Sequence, residues 1–414
     1  MKTYRAMWTA AFVGAVVLVG TAAPAWAQWQ QWGGPHGNFV ANSGKLADAW
    51  PKSGPPVVWQ RDLGDGYSAI VADDGMLFTM YRKGDDEVVV AVDANTGKTK
   101  WEQAYSAPVG DDYEQRFGLG PHATPLVSGG NVYTIGFTAK LQCLDKNTGK
   151  VIWSKDPEAE FGATPARFGA SASPIIDQGK LFVVLGGKDN GIAALSPVTG
   201  AVIWKRHSFE NTYSSPVVVK VGGQDQIALL TSDKIVGLNP VNGDILWEQE
   251  HVNQWKTNIS TPVFAKDSTL YVSSGGDAGA RMFKLTRSGG KTKVAELWKS
   301  RKMQVGQGNA IRVADRVFGS AGGRASFIGA ADAQTGKVAW RQRGFSKATM
   351  IYADGKLIIL DEDGVLALAR PGKDALDVLS KFQLFEDRSW SIPTLVGKKL
   401  FVRDQKKMIA LDLG

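Results

Sequence analysis

Twelve large polar or aromatic residues recur at one kind of position: Tyr67, Arg116, His122, Arg167, Tyr213, Trp255, Asn258, Gln307, Asn309, Lys347, Arg388 and Trp390. Each stands a few residues ahead of a short run rich in Val, Ile and Leu. Brought together, these groups suit an anionic or planar ligand. Guanidinium and ammonium groups take carboxylates and phosphates, and aromatic faces take rings and cations. The same residues also suit a plug that fills a channel, or a rim that grips another protein. His122 is the one His among them, and His36, His207 and His251 lie in other contexts. No His-rich metal site assembles from such spacing, and His122 reads as a hydrogen-bonding rim residue rather than a ligand or base.

Familiar catalytic signatures are missing. The sequence has no His-Glu-x-x-His and no Gly-x-Ser-x-Gly elbow, and its single cysteine, Cys143, rules out a Cys-x-x-Cys pair. Ser288-Gly-Gly-Lys291-Thr292 resembles the end of a phosphate-binding loop, but the required earlier glycine position holds Leu285. Asp361-Glu-Asp363-Gly364 has the composition of a calcium loop, yet it is short and falls where a hairpin turn is due. Cys143 sits in the apolar run Leu-Gln-Cys-Leu-Asp and is expected to be a buried structural thiol.

The elements that must position the twelve residues are repeats. A segment running Ser/Thr-Pro, two apolar strands around a turn, Leu-Asp-x-x-Thr-Gly, then a strand ending in Trp recurs along the chain. Copies end at Trp101, Trp153, Trp204, Trp247, Trp298 and Trp340, and a degenerate copy ends at Phe382. Each holds four short β-rich runs separated by Gly, Asn and Asp turns, at a period of roughly 40–50 residues, the pattern of a β-propeller. The last copy stops at Gly414 before its fourth strand. The strand around Trp59 supplies the missing one, so a ring of eight four-stranded antiparallel blades closes with both termini in one blade. The fold is therefore expected to be all-β. Thr-Gly makes the turn, Asp93, Asp145 and Asp332 bond their own turns, and each Trp packs between blades.

Three segments follow: a leader over 1–27, an extended arm over 28–56 and one propeller over 57–414. Lys2 and Arg5, the apolar stretch from Ala10 to Gly20, and Ala25-Trp26-Ala27 form an export signal with cleavage after Ala27. The arm is rich in Gly, Pro and Trp. It is expected to lie along the propeller with Trp29 and Trp32 partly buried, or to reach a partner. The formal charge is +8, and loss of Lys2 and Arg5 leaves +6. The cations are scattered, which excludes a nucleic-acid stripe and leaves acidic surfaces or polymers as the partners charge alone favours. No other segment is apolar enough to cross a bilayer, so the mature chain is expected to be a periplasmic or secreted monomer.

The ending Asp93-Ala-Asn-Thr96-Gly97-Lys-Thr-Lys-Trp101 and its copies resemble the tryptophan-docking motif of the PQQ-like (quinoprotein-type) propeller family, over nearly all of the chain after residue 56. That family includes the outer-membrane assembly factor BamB and the quinoprotein alcohol dehydrogenases. The resemblance implies structural roles for Trp59, Trp101, Trp153, Trp204, Trp247, Trp298 and Trp340. It implies two functions. One is a non-catalytic scaffold of the cell envelope that binds another envelope protein through its rim loops and needs no cofactor. The other is a dehydrogenase of alcohols or sugars using PQQ with calcium, with Lys347 or Arg167 near the quinone's carboxylates. The chain departs from both. The dehydrogenases hold the quinone between a Trp and a disulfide of adjacent cysteines, which Cys143 alone cannot form. The assembly factors are lipoproteins, and here Gln28 stands where a lipidated Cys would be.

Overall fold

The computed structural model describes Met1 and residues 28–164, 166–210, 212–322 and 326–414. The expected leader and its cleavage site lie outside the described residues. Eight four-stranded antiparallel sheets make up the fold, with strands in sequence order within seven of them. Blades 1 to 7 span 71–106, 126–155, 175–206, 217–250, 263–300, 310–342 and 348–383. Blade 8 combines Thr394–Val396, Lys399–Arg403 and Lys407–Asp412 with the N-terminal strand Val57–Asp62, which pairs antiparallel with Lys407–Asp412. The ring thus closes by the expected strand.

The strands read as they do because burial changes from the axis outward. Most middle strands are buried on both faces and are rich in Val, Ile, Leu and Ala, as in Asp86–Asp93, while the inner strand of blade 4, Val217–Val221, has one exposed face. The outermost strand of a blade alternates buried and exposed residues, as in Thr99–Ser106. First strands of neighbouring blades lie side by side and line the bore. The Ser/Thr-Pro positions ahead of them form a belt of hydroxyls. Thr124 accepts from the Ala69 N–H at 3.3 Å, Ser173 from the Thr124 N–H at 3.0 Å, and Ser215 from the Ser173 N–H at 2.9 Å.

Six of the seven tryptophans dock onto the following blade. The indole N–H groups of Trp59, Trp101, Trp153, Trp204, Trp298 and Trp340 donate to the carbonyls of Ala94, Lys146, Pro197, Pro240, Ala333 and Gly372 at 2.8–3.4 Å. The turn glycine must lie flat on the ring: a Cβ on Gly97 would come within 2.6 Å of Trp59. Asp93 holds that turn, accepting from the N–H groups of Asn95 and Thr96, each at 3.0 Å. Trp247 departs from the pattern. Blade 5 has a long hairpin, Gly279–Ser288 with Lys291–Ser300, in place of the Asp-x-x-Thr-Gly turn. With no such turn to receive it, Trp247 stays on its own blade, donating to Gln226 at 2.7 Å and covering Gly237.

The closing seam between blades 8 and 1 carries a fully buried cation. Arg403 donates to the carbonyls of Ser68, Met80 and Gly66 at 3.2, 2.7 and 2.8 Å and to the Thr79 hydroxyl at 3.1 Å. Burial lowers its pKa to about 10.

Residues 29–41 of the arm cross the end of the bore, and the rest lies along blade 7. Trp29 bridges to Ala72 of blade 1, and the Gln30 carbonyl accepts from Val127 of blade 2 at 2.8 Å. The Trp32 indole donates to Thr261, ahead of blade 5, at 2.9 Å, and on blade 7 Tyr352 donates its N–H to the Phe39 carbonyl at 3.0 Å and accepts from the Ala41 N–H at 2.8 Å. Trp29 and Phe39 are 3% and 0% exposed, while Trp32 is half-buried. The arm then runs outward over blade 7, where Leu46 N–H donates to Asp354 at 2.9 Å and Trp50 N–H to Ser380 at 2.7 Å. Gly54 lies on Phe382, which takes the Trp position of the degenerate copy.

Candidate functional site

The end of the bore opposite the arm is formed by the loops that enter each inner strand, and most of the twelve residues meet there. Two of those loops fold alike. Gln115-Arg-Phe-Gly118 and Ala166-Arg-Phe-Gly169 each close with a glycine N–H donating three residues back, at 2.9 and 2.8 Å. Gly118 and Gly169 have φ of +94° and +77°, a backbone region that favours glycine. Each turn therefore presents an Arg-Phe pair at its tip.

The rings form a continuous ladder. Phe117 lies 5.4 Å from Trp390 and 5.7 Å from Phe168, and Phe168 lies 5.9 Å from Tyr213. Tyr67 lies 5.0 Å from Trp390 and 5.4 Å from His122. The hydroxyl of Tyr67 donates to the Phe117 carbonyl at 2.8 Å. Guanidiniums sit on these faces. Arg116 is 4.8 Å from Phe117 and 5.5 Å from Phe168, Arg167 is 5.6 Å from Phe168, and Arg388 is 4.8 Å from Trp390 and 5.8 Å from Phe117. Such contacts are worth about 0.5–1 kcal/mol each where exposed. They cover one face of each guanidinium, while Arg167 donates from its edge to Glu114 at 3.3 Å and Arg388 bonds the Tyr67 hydroxyl.

Charge is unevenly met. Arg116 and Arg167 share Glu114, at 4.0 and 3.3 Å, and Arg388 has no carboxylate partner among the described residues. Lys347 is committed differently: it pairs with Glu362 at 3.1 Å and donates to Gln307 at 2.8 Å, while the Trp390 indole donates to the same Glu362 at 3.0 Å. Burial raises the Tyr67 pKa against the opposing pull of Arg388, and burial raises that of Tyr213. His122 is pushed down to about 4 by burial, so it is neutral at ordinary pH. Its Nδ1 lies 3.1 Å from the Ser171 hydroxyl, and its Nε2 is buried without a partner.

Three of the twelve are placed elsewhere. Asn258 is fully buried and donates to the carbonyls of Thr231 and His251 at 2.6 and 3.2 Å. Asn309, also fully buried, clamps the Met350 backbone, donating at 2.8 Å and accepting at 3.0 Å. Both are cross-links: the Asn309 amide matches one carbonyl and one N–H of blade 7, and that of Asn258 donates to two carbonyls while its oxygen accepts from Asn253 and the Ser274 hydroxyl. Trp255 is 61% exposed and leans on Gly276, away from the ring ladder. Phe117, Phe168, Glu114 and Glu362 belong to the site without having been singled out. The repeated Arg-Phe-Gly at 116–118 and 167–169 is the sequence signal that marks the two phenylalanines.

Asp361–Gly364 is a hairpin turn, with Asp361 accepting from the N–H groups of Asp363 and Val365 at 3.2 and 3.0 Å. No group of three His, Cys, Asp or Glu side chains able to hold a metal occurs among the described residues. Cys143 is buried in the strand Leu141–Asp145. Its burial raises the thiol pKa to about 11. These residues do not fit a quinone held between a disulfide and a Trp above calcium.

Fold and site together define a closed propeller of PQQ-like repeats whose cationic, aromatic mouth lies opposite an arm-filled bore. The chain belongs to the family described as outer membrane protein assembly factor BamB, whose model matches residues 42–134 and 85–292. It is 23% identical to BamB of Yersinia pestis over 323 residues, covering 73% of this chain and 75% of that one. It is 35% identical to the quinoprotein alcohol dehydrogenase PedH of Pseudomonas putida over 136 residues, 32% of this chain and 22% of PedH. The first relatives are thus matched over only 22–31% of their own length. The crystal structure of BamB from Moraxella catarrhalis superposes with a TM-score of 0.59 at 17% identity, over 86% of this chain and 99% of that one, and shares the fold. No helix among the described residues is long and apolar enough to cross a membrane.

Proposed function

We propose that this chain is an exported, non-catalytic binding propeller of the cell envelope, which grips another envelope protein with its mouth loops and takes part in outer-membrane assembly. The observation that carries the reading is the ladder Tyr67–Trp390–Phe117–Phe168–Tyr213 with Arg116, Arg167 and Arg388 stacked on it. Trp, Tyr and Arg dominate the energetic centres of protein interfaces, because they bring large area, rigidity and directed hydrogen bonds. Membership of the BamB family supports the assembly role. The test mixes the mature protein with purified outer-membrane assembly components of the same envelope and follows complex formation by calorimetry. A complex lost on Trp390→Ala supports the reading, and a complex indifferent to Trp390, Phe117 and Phe168 contradicts it.

The likeness to PedH favours a second reading, a PQQ-dependent dehydrogenase. It predicts stoichiometric PQQ binding with calcium, dye-linked alcohol oxidation and loss of uptake in Lys347→Ala. The commitment of Lys347 to Glu362 and Gln307 counts against it. Titration followed by Trp quenching separates the two readings.

A further inference from the structure

Stacking does more to the three arginines than anchor them. A guanidinium lying on a ring has its plane fixed, and its free N–H edge then presents a two-pronged donor of the shape a carboxylate accepts. Arg116 and Arg167 are side chains of 61% and 70% exposure, and Arg388 is exposed as well. Their faces lie on Phe117, Phe168 and Trp390, and the N–H groups not taken by Glu114 or Tyr67 face water. Two of these forks, Arg116 and Arg167, share the single carboxylate of Glu114, and Arg388 has no carboxylate partner among the described residues. Of the acids beside them in sequence, Asp387 pairs with Lys406 at 3.2 Å and Glu362 with Lys347, while Asp111, Asp112 and Glu386 are exposed and pair with none of the three arginines among the described residues. The mouth thus carries oriented guanidinium forks, whereas the cationic blade 5 hairpin with Arg287, Lys291 and Lys293 has no aromatic faces beneath those three side chains among the described ring contacts.

We infer that the mouth is a carboxylate receptor, and that its partner docks with an acidic stretch of polypeptide whose side chains fork onto Arg116, Arg167 and Arg388. The inference rests on the binding reading above and adds the chemistry of the partner. Lysine is no substitute at these positions, since an ammonium offers a point charge and no fixed fork. The rings beneath keep the guanidiniums apart from one another and hold their edges outward, so little side-chain freedom remains to be lost on binding.

The experiment uses the mature full-length protein and a synthetic peptide of alternating Glu and Ser with one Glu every second residue, followed by Trp fluorescence and calorimetry. A Gln-for-Glu peptide of the same length and inorganic phosphate serve as the competing probes. The acidic peptide is expected to bind, with affinity falling about tenfold to a hundredfold in Arg388→Gln and comparably in Arg388→Lys. Neutralising Lys291 and Lys293 on the blade 5 hairpin is expected to leave it unchanged. Equal binding of the Glu and Gln peptides, full retention in Arg388→Lys, or an equal loss from the hairpin substitutions overturns the inference, as does phosphate displacing the peptide at equal charge. If the assembly-component complex needs Trp390 but ignores Arg116, Arg167 and Arg388, the binding reading stands and the carboxylate receptor fails. If the acidic peptide binds at the arginines while no complex forms, the receptor stands and the assembly reading fails.

Discussion

The two ends of the bore are built from the same strands and do opposite things. At the arm end, Trp29 and Phe39 are buried and the charged groups are paired: Lys146 with Asp73 at 2.5 Å and Asp74 at 2.6 Å, and Lys356 with Asp354 at 2.7 Å, while Ser43 Oγ and Trp50 Nε1 are buried without a partner. At the mouth, Phe117, Phe168, Tyr213 and Trp390 are half-buried, Arg116 and Arg167 share one carboxylate, and Arg388 has none among the described residues. The same propeller loops can be filled from within by the chain's own arm or left as a surface for another molecule. Matched charge and full burial mark the first case, and unmatched oriented charge marks the second.

That division is open to breaking. The largest effect is expected at the arm: Trp29→Ala or Phe39→Ala should lower unfolding stability by about 3–5 kcal/mol in a denaturant titration. Arg388→Gln should stay within about 0.5 kcal/mol of the parent, because it is exposed. A mouth arginine that matters as much to stability as Trp29 would erase the contrast. Arg403→Met at the closing seam should cost about 3 kcal/mol, since four or more acceptors lose their donor inside the ring.

Acid should tell the two ends apart. His122 and His251, both at the mouth end of their blades, are held at about 4, mainly by burial. The unfolded chain takes up protons on both between about pH 6.5 and 4, and the folded chain does not. Their contribution is complete above pH 6.5 and is lost as the pH falls towards 4. The Asp354 carboxyl at the arm end is held below its ordinary range by Lys356, so its contribution survives that interval and is lost only at lower pH. Stability measured from pH 7 to 4 should fall, and fall less in His122→Gln and His251→Gln. A flat profile in the parent contradicts these depressed values. The smallest effect separates the seams. Trp101→Phe should cost about 1 kcal/mol, through the lost bond to Lys146 of the next blade. Trp247→Phe should leave the seam between blades 4 and 5 intact, because its bond stays within blade 4.

The repeat, the count of eight blades and the closing strand at Trp59 were legible in the sequence, because docking turns and apolar runs recur with fixed spacing. The irregular seam was half legible: the Asp-x-x-Thr-Gly turn is missing before Trp298, but nothing local shows that Trp247 must then turn inward to Gln226. The mouth was legible as a set of loop positions and not as a set of contacts. Asn258 and Asn309 occupy the same register as Tyr213 and Lys347, and only the packing around each decides that the two amides staple backbone while the others reach the opening. Glu362 and Glu114 lay outside that register and are brought in by hairpin and loop geometry. The arm's path across the bore was beyond the sequence, since its partners Ala72, Val127, Thr261 and Tyr352 are spread over four blades.

The comparison of the two ends is tested most directly by photo-cross-linking in the intact envelope, with the probe placed in turn at the exposed Gln115 and Glu386 beside the mouth arginines and at Val198 and Lys398 in the turns of the arm end. The account predicts discrete protein adducts from the two mouth positions and none from the two turn positions. Adducts from the turns alone would contradict it.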